Sequence, residues 1–202
     1  MNEAVERAVA AIRAGDPVVI PTDTVYGLAA TAYEESAARR LYRLKGRDDI
    51  QPTALMAATV DLVLECVPEL RGRGGTIVRA LLPGPYTLVL SNPAKRFRWL
   101  SGARPDAIGV RVPDLSGPGK DVLDRVGAIV ATSANLPGGS DPRRLAEVPG
   151  SILDGAAAVV DGGELRGTPS TVIDVTGPEP VVLREGAGDV AAAIAQIAAA
   201  GR

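Results

Sequence analysis

The chain has 202 residues, 46% of them hydrophobic and 23% charged, with a formal charge of −2 and a pI near 5.3. These values fit an ordinary folded domain spanning 1–202 and exclude a uniformly basic nucleic-acid coat. With no histidine and a single cysteine, Cys66, the sequence also excludes an internal disulfide, a His or Cys zinc cage, and Ser-His-Asp or Cys-His catalysis within one chain.

Taken in chain order, residues 3–14 place Val5, Ala8, Val9 and Ile12 at helical spacing between an N-cap, Asn2, and a stop, Gly15, which predicts a first helix. An apolar strand follows at 18–20 and runs into "PTDTVYGL", where Thr22 and Thr24 alternate onto one face, Asp23 faces away with no ligand role, and Tyr26 and Gly27 shape a wall. Further helices are expected over 36–46, 59–67, 75–82, 120–127 and 189–201, each bounded by polar starts or Gly/Pro stops. Short β-branched runs predict strands at 53–57, 86–92, 107–113, 128–133, 157–163, 171–175 and 180–186. The last two form a hairpin around Gly177-Pro178, so the fold class is α/β with a mixed parallel and antiparallel sheet flanked by helices. No run approaches the about 18 apolar residues of a membrane span, and the acidic start "MNEAVERAVAAIRAG" lacks the pattern of a signal peptide; a cytoplasmic protein without membrane association is expected.

What remains for chemistry is carboxylate, lysine, arginine, hydroxyl and backbone amide, the groups that hold phosphates and carboxylates. Lys45 and Arg47 flank Gly46 at the end of a helix, where they either complement the helix C-terminus as solvated caps or aim together into one cleft. The strand "AIVATS" ends in Ser133-Ala134-Asn135; its alternation puts the Ser133 hydroxyl and the Asn135 carboxamide on one face, as a binding pair or as an ordinary turn. Ser133 has no base to activate it and so binds rather than attacks. Arg111 and Arg184 lie in apolar strands, so each must reach either solvent or an anion. Ser170 and Thr171 open a strand, where their hydroxyls either meet a ligand or cap the preceding turn.

Several features read more simply. "DLSGPGKD" lacks the first glycine and the Ser/Thr of a phosphate loop, leaving Lys120 at a helix start. Cys66 reads as a small buried hydrophobe, and Asp48-Asp49 and Asp121/Asp124 as solvated surface. The stretch 91–106 carries Lys95, Arg96, Arg98 and Arg104 around Phe97 and Trp99; it is either a surface loop whose tryptophan plugs the core edge or an RNA-facing loop.

Together, "PTDTVYGL", "KGR", "PGPYTLVL", "IGVRVP", "TSAN", "PSTVIDV" and "VLREG", in this order between about residues 17 and 186, resemble the YrdC/Sua5 family of L-threonylcarbamoyladenylate synthases. The resemblance implies a twisted mixed α/β domain with a concave electropositive cavity. It implies a reaction in which L-threonine, bicarbonate or CO2, and ATP give threonylcarbamoyl-AMP and pyrophosphate, with Mg2+ carried by the nucleotide and no dedicated metal site. It further implies a downstream transferase that modifies adenosine 37 of tRNA, and possible direct tRNA contact. By the same likeness, Lys45 and Arg47 are the catalytic cations; Arg47, Ser133, Asn135 and Arg184 contact ATP; and Thr24, Arg111 and Ser170 hold threonine. The chain departs from the family pattern at Asp48, Gln51, Pro52, Thr53, Met56 and Asp141, and it ends soon after the helix at 189–201, as a short form would. An RNA-binding module without catalysis and a diverged carbamoyl-transferring paralogue stand as alternatives.

Overall fold

The local signals account for most elements of the computed structural model, which describes residues 2–47 and 51–200. In helix α1 (Glu3–Arg13), Val5, Ala8, Val9 and Ile12 form the buried stripe, and the Asn2 side chain accepts from the Ala4 amide. Helix α2 (Glu35–Lys45) buries Ala37, Ala38, Leu41 and Tyr42 and stops at Gly46, whose left-handed backbone (φ 67°, ψ 37°) suits a residue without Cβ. Helices α3 (Val60–Cys66), α4 (Arg73–Leu81), α5 (Gly117–Val126) and α7 (Val190–Ala200) fall where expected; a short helix α6 (Gly150–Gly155), unannounced by any apolar stripe, precedes the edge of the sheet.

Nine strands build one sheet: β1 (Val18–Pro21), β2 (Tyr26–Thr31), β3 (Ala54–Ala57), β4 (Tyr86–Ser91), β5 (Ala107–Arg111), β6 (Ala128–Ser133), β7 (Ala158–Val159), β8 (Thr171–Asp174) and β9 (Val181–Arg184). Their spatial order is β7-β1-β2-β6-β3-β5-β4-β8-β9. The pairs β1–β7, β3–β5 and β4–β8 are parallel and the others antiparallel, including the expected β8–β9 hairpin. Strand β2 was not expected. "YGLAAT" carries one glycine, two alanines and no aliphatic β-branched residue, so its strand propensity is weak, yet all six residues are buried between β1 and β6. Tertiary pairing on both edges decides its conformation.

The period of two along each strand divides the core into two faces. Val18, Ile20, Ala29, Ile129 and Ala131 point toward α1 and α5, with Val5, Val9, Ile12, Val122 and Leu123 packed over them. Val19, Leu28, Leu55, Leu88, Val110 and Val130 point to the other face, into the larger core with residues of α2, α3, α4 and α7. Helices α1 and α5 cover the β7-β1-β2-β6 side of the first face, and the alternate positions of β3, β5, β4 and β8 on that face line a cavity. Among the described residues, no helix is long and apolar enough to cross a membrane.

Candidate functional site

The floor of the cavity is made of small side chains at alternate strand positions: Gly27, Ala54, Ala107, Gly109 and Ala131. At Gly109, a Cβ would lie 3.7 Å from Ala54 and from Thr87, ordinary contact with its neighbours but volume taken from the cavity. The space measures about 430 Å3, within the usual range for a small-molecule site. Around this floor stand Arg47, Arg104, Arg111 and Arg184 with Thr22, Thr24, Thr53, Thr87, Thr132, Ser101, Ser133 and Ser170; no carboxylate is among the described lining residues.

Each cation is held differently. Arg47, just past α2, donates from Nη1 to Thr132 Oγ1 at 3.3 Å and from Nη2 to the Pro52 carbonyl at 2.6 Å. Arg184, on β9, donates from Nε (3.1 Å) and Nη2 (2.8 Å) to the Ser170 carbonyl and from Nη2 to Ser170 Oγ (3.2 Å). Ser170 Oγ also meets Thr87 Oγ1 at 2.8 Å, so β4, β8 and β9 are joined at one point. Arg111 pairs with Asp23 and donates to Thr24 Oγ1 at 3.0 Å. Burial pushes the pKa of Arg47 and of Arg111 downward, with Asp23 opposing the fall at Arg111. Arg104 is bound to Asp174 at 2.6 Å.

Four buried side-chain atoms find no partner among the described residues: Arg47 Nε, Arg111 Nε, Thr53 Oγ1 and Ser101 Oγ. All four residues line this cavity. An unsatisfied buried polar atom costs about 1–3 kcal/mol, so their concentration around one cavity marks a surface shaped for something other than folding stability.

The structure sorts the expected site residues into two groups. Thr24, Arg47, Arg111, Ser133, Ser170 and Arg184 come together on the cavity wall; Lys45 and Asn135 do not line it. Lys45, expected to face the substrate, instead turns inward: Nζ donates to the Ser133 carbonyl (2.6 Å), the Asn135 carbonyl (2.8 Å) and Asn135 Oδ1 (2.7 Å). An ammonium has three hydrogens, and all are used. Burial lowers its pKa to about 8, with Arg47 adding to the effect. Asn135 is equally committed, since Oδ1 also accepts from Ser133 Oγ at 2.7 Å and Nδ2 donates to the Gly139 carbonyl at 2.6 Å. The pair therefore shapes the strand end that presents Ser133.

Other expectations shift as well. The Thr22 hydroxyl is occupied by its own turn, donating to the Val25 carbonyl at 2.7 Å and accepting from the Val25 amide at 3.2 Å. Asp23, expected to point away with no part in the site, lies against Arg111 because a buried guanidinium needs a counter-charge. Alternation alone missed this, since residues 22–25 form a turn rather than a continuing strand. Tyr26 is fully buried, and its hydroxyl lies 2.8 Å from both Asp161 Oδ1 and the Gly163 carbonyl while accepting from the Gly162 amide at 3.0 Å. That hydroxyl anchors the segment leading to Ser170, which is further tied by the Gly167 amide to the Thr24 carbonyl at 2.8 Å. In the 91–106 stretch, Trp99 packs on the core edge and donates from Nε1 to the Ala32 carbonyl, while Arg96 and Arg104 pair with Glu69 and Asp174. Cys66 is half-buried, its thiol pKa raised by burial, with Tyr33 Oη 3.9 Å from Sγ. Of the departures, Asp48 lies outside the described residues, as does its neighbour Asp49.

A model of the Sua5, YciO and YrdC proteins, described as telomere recombination, matches residues 10–186. The chain belongs to this Sua5/YciO/YrdC family. Among its relatives, the threonylcarbamoyl-AMP synthase of Pyrococcus abyssi is 35% identical over 176 residues, covering 87% of this chain and 52% of that protein. A putative threonylcarbamoyl-AMP synthase of Mycobacterium tuberculosis is 33% identical over 180 residues, covering 89% of this chain and 82% of the relative. The crystal structure of P. abyssi Sua5 complexed with L-threonine superposes with a TM-score of 0.82 at 33% identity, covering 90% of this chain and 54% of that one. The chain thus spans about half the length of its Pyrococcus relative, and the shared part is the Sua5/YciO/YrdC fold that carries the cavity.

Proposed function

We propose that the protein is a threonylcarbamoyl-AMP synthase, joining L-threonine, bicarbonate or CO2, and ATP into threonylcarbamoyl-AMP with release of pyrophosphate. The observation that carries this reading is the cavity itself: four arginines and a ring of hydroxyls, with no carboxylate among the described lining residues, on a fold that matches a Sua5 crystallised with L-threonine. Such a wall of guanidinium and hydroxyl donors suits two anionic reactants that must meet.

In the reaction, the threonine amine, once neutral, takes up CO2 and releases a proton to form a carbamate. A carbamate oxygen then attacks the α-phosphorus of ATP, the bond to the bridging oxygen breaks, and pyrophosphate leaves. No protein nucleophile is required, so the side chains act by orientation and charge. Arg111, Thr24 and Ser170 are assigned to the threonine carboxylate and hydroxyl; Arg47, Ser133 and Arg184 to the nucleotide. The cavity joins these two groups of residues. Lys45 and Asn135 hold the strand end that carries Ser133. Mg2+ enters as part of the nucleotide substrate, because magnesium commonly uses substrate phosphates as ligands, and there it offsets phosphate charge. The product is an activated acyl donor for a separate transferase acting on tRNA.

The deciding assay follows pyrophosphate release with each substrate omitted in turn. Release that requires threonine, bicarbonate and ATP together is expected; release indifferent to threonine would reject the assignment.

A further inference from the structure

We propose that Asp23 is the internal counter-anion that sets how tightly Arg111 takes a carboxylate in the cavity, a positioning role that rests on the threonine-binding reading above. Asp23 sits in the turn between β1 and β2, and Arg111 at the end of β5; the two meet across 88 residues of sequence. Their side chains are only 6% and 9% exposed. Arg111 Nη2 donates to Asp23 Oδ1 and to Thr24 Oγ1, so its two hydrogens are used on protein oxygens, while Nε has no partner among the described residues. Arg111 lines the cavity and Asp23 does not. The carboxylate therefore acts on a ligand through the guanidinium, from behind the wall.

Two anions on one guanidinium repel each other, so a carboxylate arriving from the cavity side must share a cation that is already balanced. Without Asp23, a buried Arg111 with Arg184 nearby would attract any small anion. With Asp23, an anion must bring further contacts, such as those of Thr24 and Ser170, to hold its place. The groups acting on Asp23 pull in opposite directions: burial raises its pKa, and Arg111 is first among the influences that hold it ionised, followed by the backbone hydrogen bonds of Asp23 and Asp114 and the charge of Arg166.

Asp23→Asn tests the idea, because it keeps an oxygen for Nη2 and removes only the charge. Calorimetric titration of the variant with L-threonine is expected to show binding about ten-fold tighter than wild type, or 1.4 kcal/mol, while L-threoninamide, which lacks the carboxylate, binds both proteins alike. Unchanged or weaker threonine binding by the variant, or an equal gain for threoninamide, would overturn the proposal, since a merely structural aspartate has no reason to restrain a carboxylate selectively. Thermal shifts in sodium acetate against matched sodium chloride separate this inference from the functional one. If wild type ignores threonine, the synthase reading fails; a larger acetate stabilisation of Asp23→Asn than of wild type still supports Asp23 as counter-anion, and equal stabilisation overturns it. Should Asp23→Asn fail to fold, Asp23→Asn/Arg111→Gln leaves no lone buried charge and is expected to restore folding; a double variant that stays unfolded overturns the proposal.

Discussion

Replacing Lys45 by methionine removes a buried ammonium and keeps a side chain of similar length. Three hydrogen bonds of 2.6–2.8 Å are lost, all to oxygens of Ser133 and Asn135. Hydrogen bonds to a charged group contribute about 1.5–3 kcal/mol each, and losing the charge offsets part of that by removing the cost of burying it, the main cause of a pKa lowered from 10.5 to about 8. The net expectation is a loss of about 2–4 kcal/mol in stability, with kcat/KM for ATP falling about 100-fold because Ser133 is no longer fixed. Steady-state pyrophosphate release, with Lys45→Met, Asn135→Ala and the double variant side by side, measures the coupling. If Lys45 works by holding Asn135, the double variant falls little further than Lys45→Met alone. Fully additive losses, or a Lys45→Met enzyme within three-fold of wild type, would refute the positioning role. The pH dependence supplies a second check. A lowered folded pKa means that the native state binds fewer protons than the unfolded chain between about pH 8 and 10.5, so this group's contribution to stability rises with pH across that window and is lost as pH falls through about 8. Activity should move the opposite way, declining above about pH 8 as the clamp loses a donor. Lys45→Met should show neither trend.

Arg47→Ala removes a half-buried guanidinium assigned to the nucleotide and should lower kcat/KM for ATP by at least about 100-fold in the same assay. Tyr26→Phe keeps the buried ring but deletes the hydroxyl that anchors residues 161–163; a loss of about 1–2 kcal/mol in urea unfolding and a several-fold rise in threonine KM are expected. Gly186→Ala would place a Cβ 2.2 Å from the Pro169 carbonyl and 2.6 Å from Ser170, forcing β9 away from the cavity. Its melting temperature should fall by several degrees, with a raised KM for ATP as Arg184 separates from Ser170.

Much of the fold was legible because helices and strands are encoded over a few residues: the stripe Val5, Ala8, Val9, Ile12 can bury itself only as a helix, and the hairpin around Gly177-Pro178 is set by its turn. Strand β2 escaped because its small residues carry little propensity and its conformation comes from neighbours on both sides. Thr24, Arg47, Arg111, Ser133, Ser170 and Arg184, which the structure brings to one cavity, were likewise readable as candidates, since hydroxyls and cations at strand ends stand out against apolar runs. Their partners were not. Lys45 meets Asn135 across 90 residues and Asp23 meets Arg111 across 88, so each contact depends on the sheet order that brings β6 to β2 and β3, and β5 alongside β3. Local periodicity tells which face a side chain occupies; only the assembled sheet decides which buried charge lies opposite it, and the cost of leaving such a charge alone then selects its partner.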